Sequence, residues 1–250
     1  GSPKGEAQVD KMVVREIADV QTQIAELLAG GIDITADISA DHVTQIGGVS
    51  GFTALQAGTM RTGYIGFDAA GRGNHEPVTK LKVRQAMNIA INRASIKKVV
   101  MRGQSNPTGV IMPPFVNGWT EALNEYPEYD LDKAKALMAD AGYGDGFDIV
   151  LNCPNDRYIN DEAICQAAVG MMAQIGINVT LDSKPKAQHF PIVKGGDSDF
   201  YMLGWGVPTF DSHYIFNFLV HTPTDDRGSW NPTGYSNGEV DAMIVSLESE

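Results

Sequence analysis

Apolar and polar residues follow two different periods along this chain. From Val83 to Ile91, apolar residues recur at i, i+3, i+4, i+7 and i+8, which places them on one face of an α-helix. Residues 134–141 and 164–175 show similar helical spacing. Apolar or alternating runs predict strands at residues 60–67, 147–151, 177–181 and 200–205. The last run is apolar almost throughout, which favours a central strand. Strands that alternate with helices indicate an α/β fold.

The first 60 residues predict shorter elements. Residues 12–17 and 32–34 are typical of strands, and Ile24 and Leu27 lie on a helix between them. Ser39 precedes a brief helix that reaches Ile46. We therefore expect a small unit that contains β-strands, followed by a larger and more regular α/β unit.

Composition and hydropathy argue against nucleic-acid binding and against a membrane-spanning segment. The chain has 250 residues and a formal net charge of −12, which argues against nucleic acid because a phosphate-binding face needs clustered Lys and Arg. No run of 18 apolar residues is present, so the sequence predicts no segment that spans a bilayer.

The two cysteines, Cys153 and Cys165, leave two interpretations open. The first ends a predicted strand and the second lies on the next predicted helix, so a disulfide is geometrically possible. Buried free thiols are the alternative. No Cys/His ligand spacing accompanies them, so the sequence predicts no metal site and no cofactor.

A hydrolytic α/β enzyme and a plain interaction module are the competing functional interpretations. The chain contains no GxSxG, HExxH or P-loop motif. Asp211, Ser212 and His213 are adjacent, but adjacent residues point in different directions and catalytic triads assemble from distant segments. We therefore expect no catalytic residues and no enzymatic activity.

Several segments resemble one family in the same order along nearly the whole chain. The helix at Val83 resembles the "VRQAINYAIDR" helix of the extracytoplasmic solute-binding proteins that feed ABC importers of peptides, nickel and related solutes. Asp68 stands where that family usually has Asn. The resembling segments read VDKMVVREIADVQTQIAELLAGGIDI, YIGFDAAGRGNHEPVTKLKVRQAMNIAINR, YDLDKAKALMADAGYGDGFDIVL, MMAQIGINVTL, YMLGWGVPTFD and YSNGEVDAMI.

The resemblance implies a periplasmic-binding-protein-like fold, with mixed sheets, flanking helices and two lobes, one only partly present. Residues 1–63 would be part of the first lobe, residues 64–74 a crossing strand and turn, and residues 75–250 the second lobe, incomplete at its C-terminal end. It also implies a periplasmic or extracytoplasmic location and two partners. These are a small peptide-like or carboxylate-bearing solute and an ABC permease in the membrane.

The same resemblance suggests which residues contact the solute. Dipeptide-binding relatives hold the ligand carboxylate with an Arg in a loop after a strand, and Arg157 occupies the matching place, with Tyr158 beside it. A guanidinium suits a carboxylate because it donates two parallel charge-assisted hydrogen bonds. The alternative is an Arg157 that pairs with Asp156 or Asp161. We expect Arg157 and Trp205 to lie near each other, because both follow apolar strands.

Trp205 and Asp211 complete the candidate site. The family's "GW" places this indole in the ligand cleft, whereas a core tryptophan is the alternative. Dipeptide binders carry an Asp three residues after this Trp, and that place is occupied here by Pro208. Asp211 could replace that carboxylate or could cap the next helix. A dipeptide with a free amino group is therefore doubtful as the ligand.

Overall fold

The computed structural model describes residues 5–73 and 75–249, and the chain forms two units, Gly1–Ala54 and Leu55–Glu250. The division follows Ala54, whereas the sequence places the end of the first-lobe segment at residue 63. The two units are defined by contacts within this chain, and such contacts do not identify lobes. The assignment of residues 1–63, 64–74 and 75–250 to two lobes therefore stays a prediction.

Two helices pack around a small apolar core in the first unit. Helix α1 (Val20–Leu28) contributes Ile24 and Leu27, and helix α2 (Ala40–Gly47) contributes Ile46. The side chain of Asp19 accepts the backbone N–H of Thr22 at 2.8 Å and so caps the start of α1. The helical part of the sequence prediction is confirmed for this unit.

The strands expected at residues 12–17 and 32–34 do not form in the structure, so that prediction is wrong. Extended backbone becomes a strand only when a neighbouring strand pairs with its N–H and C=O groups. Within residues 5–54 the structure describes no strand that could do so. Met12, Val13 and Val14 are exposed, so their apolar character is not used in this unit's core.

A four-stranded mixed sheet organises the larger unit. The strand order is β1-β4-β2-β3, with β1 antiparallel to β4 and with β2 parallel to both β4 and β3. This arrangement confirms the expected α/β fold with a mixed sheet. The strands are β1 (Arg61–Phe67), β2 (Phe147–Pro154), β3 (Ile177–Lys184) and β4 (Phe200–Gly206).

Helices and short helical turns connect and flank these strands. The described α-helices of this unit are α3 (Leu81–Ala90), α4 (Arg93–Ser95), α5 (Leu131–Asp140), α6 (Asp161–Ala173), α7 (Lys186–Gly195), α8 (His213–Ile215) and α9 (Gly238–Ser246). The 3₁₀ turns are Glu76–Thr79, Glu121–Leu123 and Leu247–Ser249, and π-helical turns continue α4 and α8 over Ile96–Val100 and Phe216–Val220. Among the described residues, no helix has both the length and the apolar character needed to cross a membrane.

The two faces of the central strand β4 belong to different apolar clusters. Phe200 and Met202 pack in the main core with the buried face of α3, as the spacing from Val83 predicts. Tyr201 and Leu203 point to the other face. This alternation is the normal consequence of side chains projecting to opposite sides along a strand.

Asp68, directly after β1, is the most connected buried carboxylate of this unit. It has no exposed surface and accepts the backbone N–H groups of Ala70 at 3.3 Å and Gly73 at 3.0 Å. It also accepts the backbone N–H of Arg72 and, at 3.2 Å, that residue's Nε–H. The guanidinium of Arg72 in turn donates to the carbonyl of Pro232. One carboxylate thus holds the turn after β1 and links it to a loop far along the chain.

We expect Asp68→Ala to destabilise the larger unit by about 2–4 kcal/mol, because it leaves several buried donors without an acceptor. Asp68→Asn keeps one oxygen acceptor and should cost less. Urea unfolding followed by tryptophan fluorescence measures this, since Trp119, Trp205 and Trp230 all lie in the larger unit. Glu76→Gln, at an exposed carboxylate, is the control, and equal midpoints for Asp68→Ala and Glu76→Gln would contradict the assigned role.

Candidate functional site

The topology brings the start of β1, the loop after β2 and the end of β4 to one edge of the sheet. Arg61, at the start of β1, pairs with Gly206 at the end of β4. β2 runs parallel to β4, so the loop after Pro154 leaves the sheet at that same edge. Arg157 and Tyr158 lie on this loop, and Trp205 lies one residue before the end of β4. Carboxyl ends of strands are favoured places for ligand sites in α/β proteins.

Trp205 and the Arg157–Tyr158 pair lie on opposite faces of β4, so the expectation that they lie near each other is wrong. A Cβ atom placed on Gly204 would lie 2.8 Å from the ring of Tyr158, which shows that the tyrosine covers the Gly204 face. The indole of Trp205, one residue further along, projects to the other side. Both segments lie at the expected edge of the sheet. Gly204 and Trp205 are adjacent in β4, however, so they face opposite sides of the sheet.

Tyr158 is held firmly against the backbone of β4. Its hydroxyl donates to the carbonyl of Gly204 at 3.2 Å. Burial raises the pKa of this phenol, and the nearby cations of Arg157 and Arg61 act in the opposite direction. Tyr158 is therefore a neutral, oriented ring at physiological pH. Only a residue without a side chain at position 204 leaves room for it.

The guanidinium of Arg157 has no carboxylate partner in the part of the chain that the structure describes. Its Cζ atom lies 5.2 Å from the ring centroid of Tyr158, a cation–π contact. The buried carboxylate of Asp161 instead accepts the backbone N–H groups of Arg157 and Tyr158, at 3.0 and 2.9 Å. Asp156 accepts the backbone N–H of Lys186. The side chain of Arg157 thus does not pair with Asp156 or Asp161 in the structure.

A disulfide closes the loop that carries these residues. Cys153 on β2 and Cys165 on α6 are bonded, and both are buried. Of the two interpretations left open by the sequence, the structure contains the bonded form. The cross-link encloses Arg157 and Tyr158, so both ends of their loop are covalently fixed beside the sheet edge.

Trp205 belongs to an aromatic cluster on the other face. Its ring centroid lies 5.8 Å from that of Tyr214, 5.9 Å from Phe218 and 6.1 Å from Trp230. The side chain is half-buried, and its indole Nε1–H is buried without a hydrogen-bond partner among the described residues. The residue is therefore neither wholly core nor freely exposed, and its contact with a solute stays a prediction.

Asp211 is already engaged by its own chain. Its Oδ1 accepts the backbone N–H of His213 at 2.8 Å, and its Oδ2 accepts the side-chain amide of Asn117 at 3.1 Å. These two hydrogen bonds, the first being the stronger influence, hold the pKa of Asp211 below its usual range. Asp211 thus holds the first residue of α8 from one position before the N-cap Ser212, and a solute contact from Asp211 stays a prediction.

The adjacent Asp211, Ser212 and His213 do not form a catalytic arrangement in the structure. The Nε2 atom of His213 lies 3.6 Å from the carboxylate of Glu248. The carboxylate of Asp211 contacts the backbone N–H of His213 and not its imidazole. Within the described residues, no cluster of three or more His, Cys, Asp or Glu side chains has the arrangement of a metal site.

Comparison with known proteins identifies the family. Residues 3–226 match the middle region of the bacterial extracellular solute-binding proteins, family 5. The chain belongs to this family. It is 25% identical over 247 residues to heme-binding protein A of Haemophilus influenzae, covering 96% of this chain and 43% of that protein. It is 26% identical to the glutathione-binding protein GsiB of Escherichia coli K12, covering 96% of this chain and 47% of that protein.

Solved structures of periplasmic binding proteins share the fold. The periplasmic binding protein DppA of Helicobacter pylori, in complex with the peptide STSA, superposes with a TM-score of 0.81 at 20% identity, covering 94% of this chain and 45% of that one. AgaA of Agrobacterium tumefaciens R10, in complex with agropinic acid, gives a TM-score of 0.79 at 25% identity, covering 94% and 46%. The chain thus spans less than half the length of the relatives it matches. The resemblance seen in the sequence is confirmed.

Two residues at this edge escaped the sequence interpretation. Gly204 is visible in the sequence only as part of the "GW" pair, although strand alternation alone places it on the face opposite Trp205. Arg61 carries no motif, and its approach to Tyr158 follows from the antiparallel register of β1 on β4. Register between strands that are distant in sequence is not readable from one sequence.

We expect the double variant Cys153→Ala/Cys165→Ala to be about 2–4 kcal/mol less stable to urea, because the unfolded chain regains the freedom of a closed loop. Tryptophan fluorescence again reports the larger unit. The parent protein treated with reductant while folded is the control, and it should keep its midpoint because both sulfurs are buried. Alkylation of both cysteines in unfolded, non-reduced protein would show that the bond does not form.

Proposed function

We propose that this chain is the solute-binding component of an ABC importer, which captures a peptide-like or carboxylate-bearing solute outside the cytoplasm and delivers it to a membrane permease. Membership of family 5 supports the binding role. The named relatives differ in their solutes, which include heme, glutathione, a peptide and agropinic acid. Family membership therefore leaves the solute to be argued from the site.

The unpaired guanidinium of Arg157 carries the proposal for the solute class. It is half-buried at the carboxyl end of a parallel strand, it is backed by the ring of Tyr158, and no described carboxylate neutralises it. A half-buried cation without a partner is stabilised when an anionic group binds it. A carboxylate fits this planar fork with two parallel hydrogen bonds.

The surroundings of Pro208 and Asp211 argue against a free dipeptide. A dipeptide's ammonium group needs a carboxylate partner, and Pro208 provides none at the place where dipeptide binders have one. The oxygens of Asp211 already accept hydrogen bonds from His213 and Asn117. A solute with a carboxylate, or a longer peptide held by its backbone, is the better match.

The proposed mechanism is closure of two lobes on the solute. A solute that binds the closed state more tightly shifts the population toward that state, and the permease then receives the loaded protein. The disulfide between Cys153 and Cys165 supports a location outside the cytoplasm, because such bonds persist in oxidising compartments.

We expect Arg157→Gln to weaken solute binding by about 30-fold or more, because loss of a buried charge-assisted contact costs on the order of 2–5 kcal/mol and each 1.4 kcal/mol is about tenfold. Calorimetry with dipeptides, longer peptides and small organic acids measures this, and analysis of the titrated solutes for cleavage tests the hydrolase alternative. Lys135→Gln removes an equal charge at an exposed site on α5 and is the control. Tight dipeptide binding that survives Arg157→Gln, or product formation, would overturn the proposal.

A further inference from the structure

Arg61 lies beside the same tyrosine ring as Arg157, although the two arginines are far apart in sequence. The Cζ atom of Arg61 is 5.7 Å from the ring centroid of Tyr158, and that of Arg157 is 5.2 Å from it. Arg61 reaches this position because the start of β1 pairs with the end of β4. Both guanidinium groups therefore contact one aromatic ring.

Two glycines replace side chains where the sheet reaches this edge. In the register of β1 and β4, Gly63 pairs with Gly204, and Arg61 pairs with Gly206 on the same face. One pair further into the unit, Met202 lies in the main core and Ile65 packs against it. The apolar face of the sheet thus ends at its edge in Gly204, which the ring of Tyr158 covers, and in Gly63, whose backbone is exposed.

The charges near this edge do not neutralise the arginines. In the part of the chain that the structure describes, neither guanidinium forms an ion pair. The charge of Asp161 acts on the phenol of Tyr158, and the oxygens of Asp161 accept backbone N–H groups, including that of Glu162. The whole chain carries a net charge of −12, so two unpaired cations at one ring are a local reversal of sign.

We propose that Arg61 and Arg157 together bind a solute that carries two carboxylates, with its carbon chain lying beside the ring of Tyr158 and over the exposed strand backbone of Gly63. This inference rests on the proposed solute-binding function and narrows its solute class. A dianion can pair with both of these guanidinium groups, whereas a monoanion pairs with one. Arg61 is thus a specificity-determining residue that distinguishes diacids from monoacids.

The test uses the chain itself and two probes of similar length, glutarate with two carboxylates and butyrate with one. NMR signals of the arginine Nε–H groups are followed during each titration at an ionic strength of about 0.01 M, where screening is weak. Arg61→Gln and Arg157→Gln assign the two signals and serve as test variants. Lys135→Gln is again the charge-matched control.

We expect glutarate to move the Arg61 and Arg157 signals along one saturable curve. Arg61→Gln should weaken glutarate binding by about three- to tenfold, with the low end reflecting the exposure of Arg61, and should leave butyrate binding unchanged. Arg157→Gln should weaken both probes. Lys135→Gln should behave as the parent does.

Two contrary outcomes are distinguishable. Movement of the Arg157 signal alone, or equal affinity for glutarate and butyrate, overturns the role of Arg61 and leaves the proposed anchor intact. Absence of any saturable change at both arginines overturns the inference and the Arg157 anchor together.

Discussion

The buried carboxylate of Asp68 fixes the turn that follows β1 and joins it to other parts of the larger unit. It accepts hydrogen bonds from Ala70, Arg72 and Gly73, and the backbone N–H of the same residue donates to the carbonyl of Asp199. These contacts close the turn at the C-terminal end of β1. At the other end of the strand, the antiparallel register of β1 on β4 determines where Arg61 emerges.

The loop around residues 232–234 is joined to the same point. The N–H of Ala69 donates to the carbonyl of Thr233 at 2.9 Å, and a Cβ on Gly234 would lie only 2.3 Å from that of Ala70. A glycine is required there because the backbones approach so closely, and its φ of 69° lies in the left-handed region. Segments from both ends of the larger unit therefore share one rigid junction.

The sequence predicted the elements of the larger unit well because strong periodicity reflects burial on one side. The helix face at Val83 and the apolar strand at Phe200 are both buried as expected. Residues 12–17 show the limit of this reasoning, since apolar, β-branched residues favour a strand but cannot supply its partner. The local pattern indicates which conformation a segment favours, but a strand forms only when a partner strand is available.

The candidate site was predictable only in part for a similar reason. The arrival of Arg157 and Trp205 at one sheet edge follows from strand direction, which the α/β pattern implies. They lie on two faces because Tyr158 covers Gly204, whereas Trp205 is the next residue of β4 and faces the other side. The approach of Arg61 follows from the register of β1 on β4, which no local pattern encodes. The bonds that occupy Asp211 likewise depend on Asn117, which lies on a separate loop.

The separation of the two faces at the end of β4 has a consequence for substitutions. On one face, Trp205 packs with Tyr214, Phe218 and Trp230 and anchors the strand. On the other, Tyr158 and the arginines lie over glycines that contribute no side chains to packing. Substitutions at Arg61 or Arg157 thus leave the aromatic anchor untouched. The proposed solute contacts and the packing that holds the strand therefore lie on opposite sides of β4, so substitutions at the one do not disturb the other.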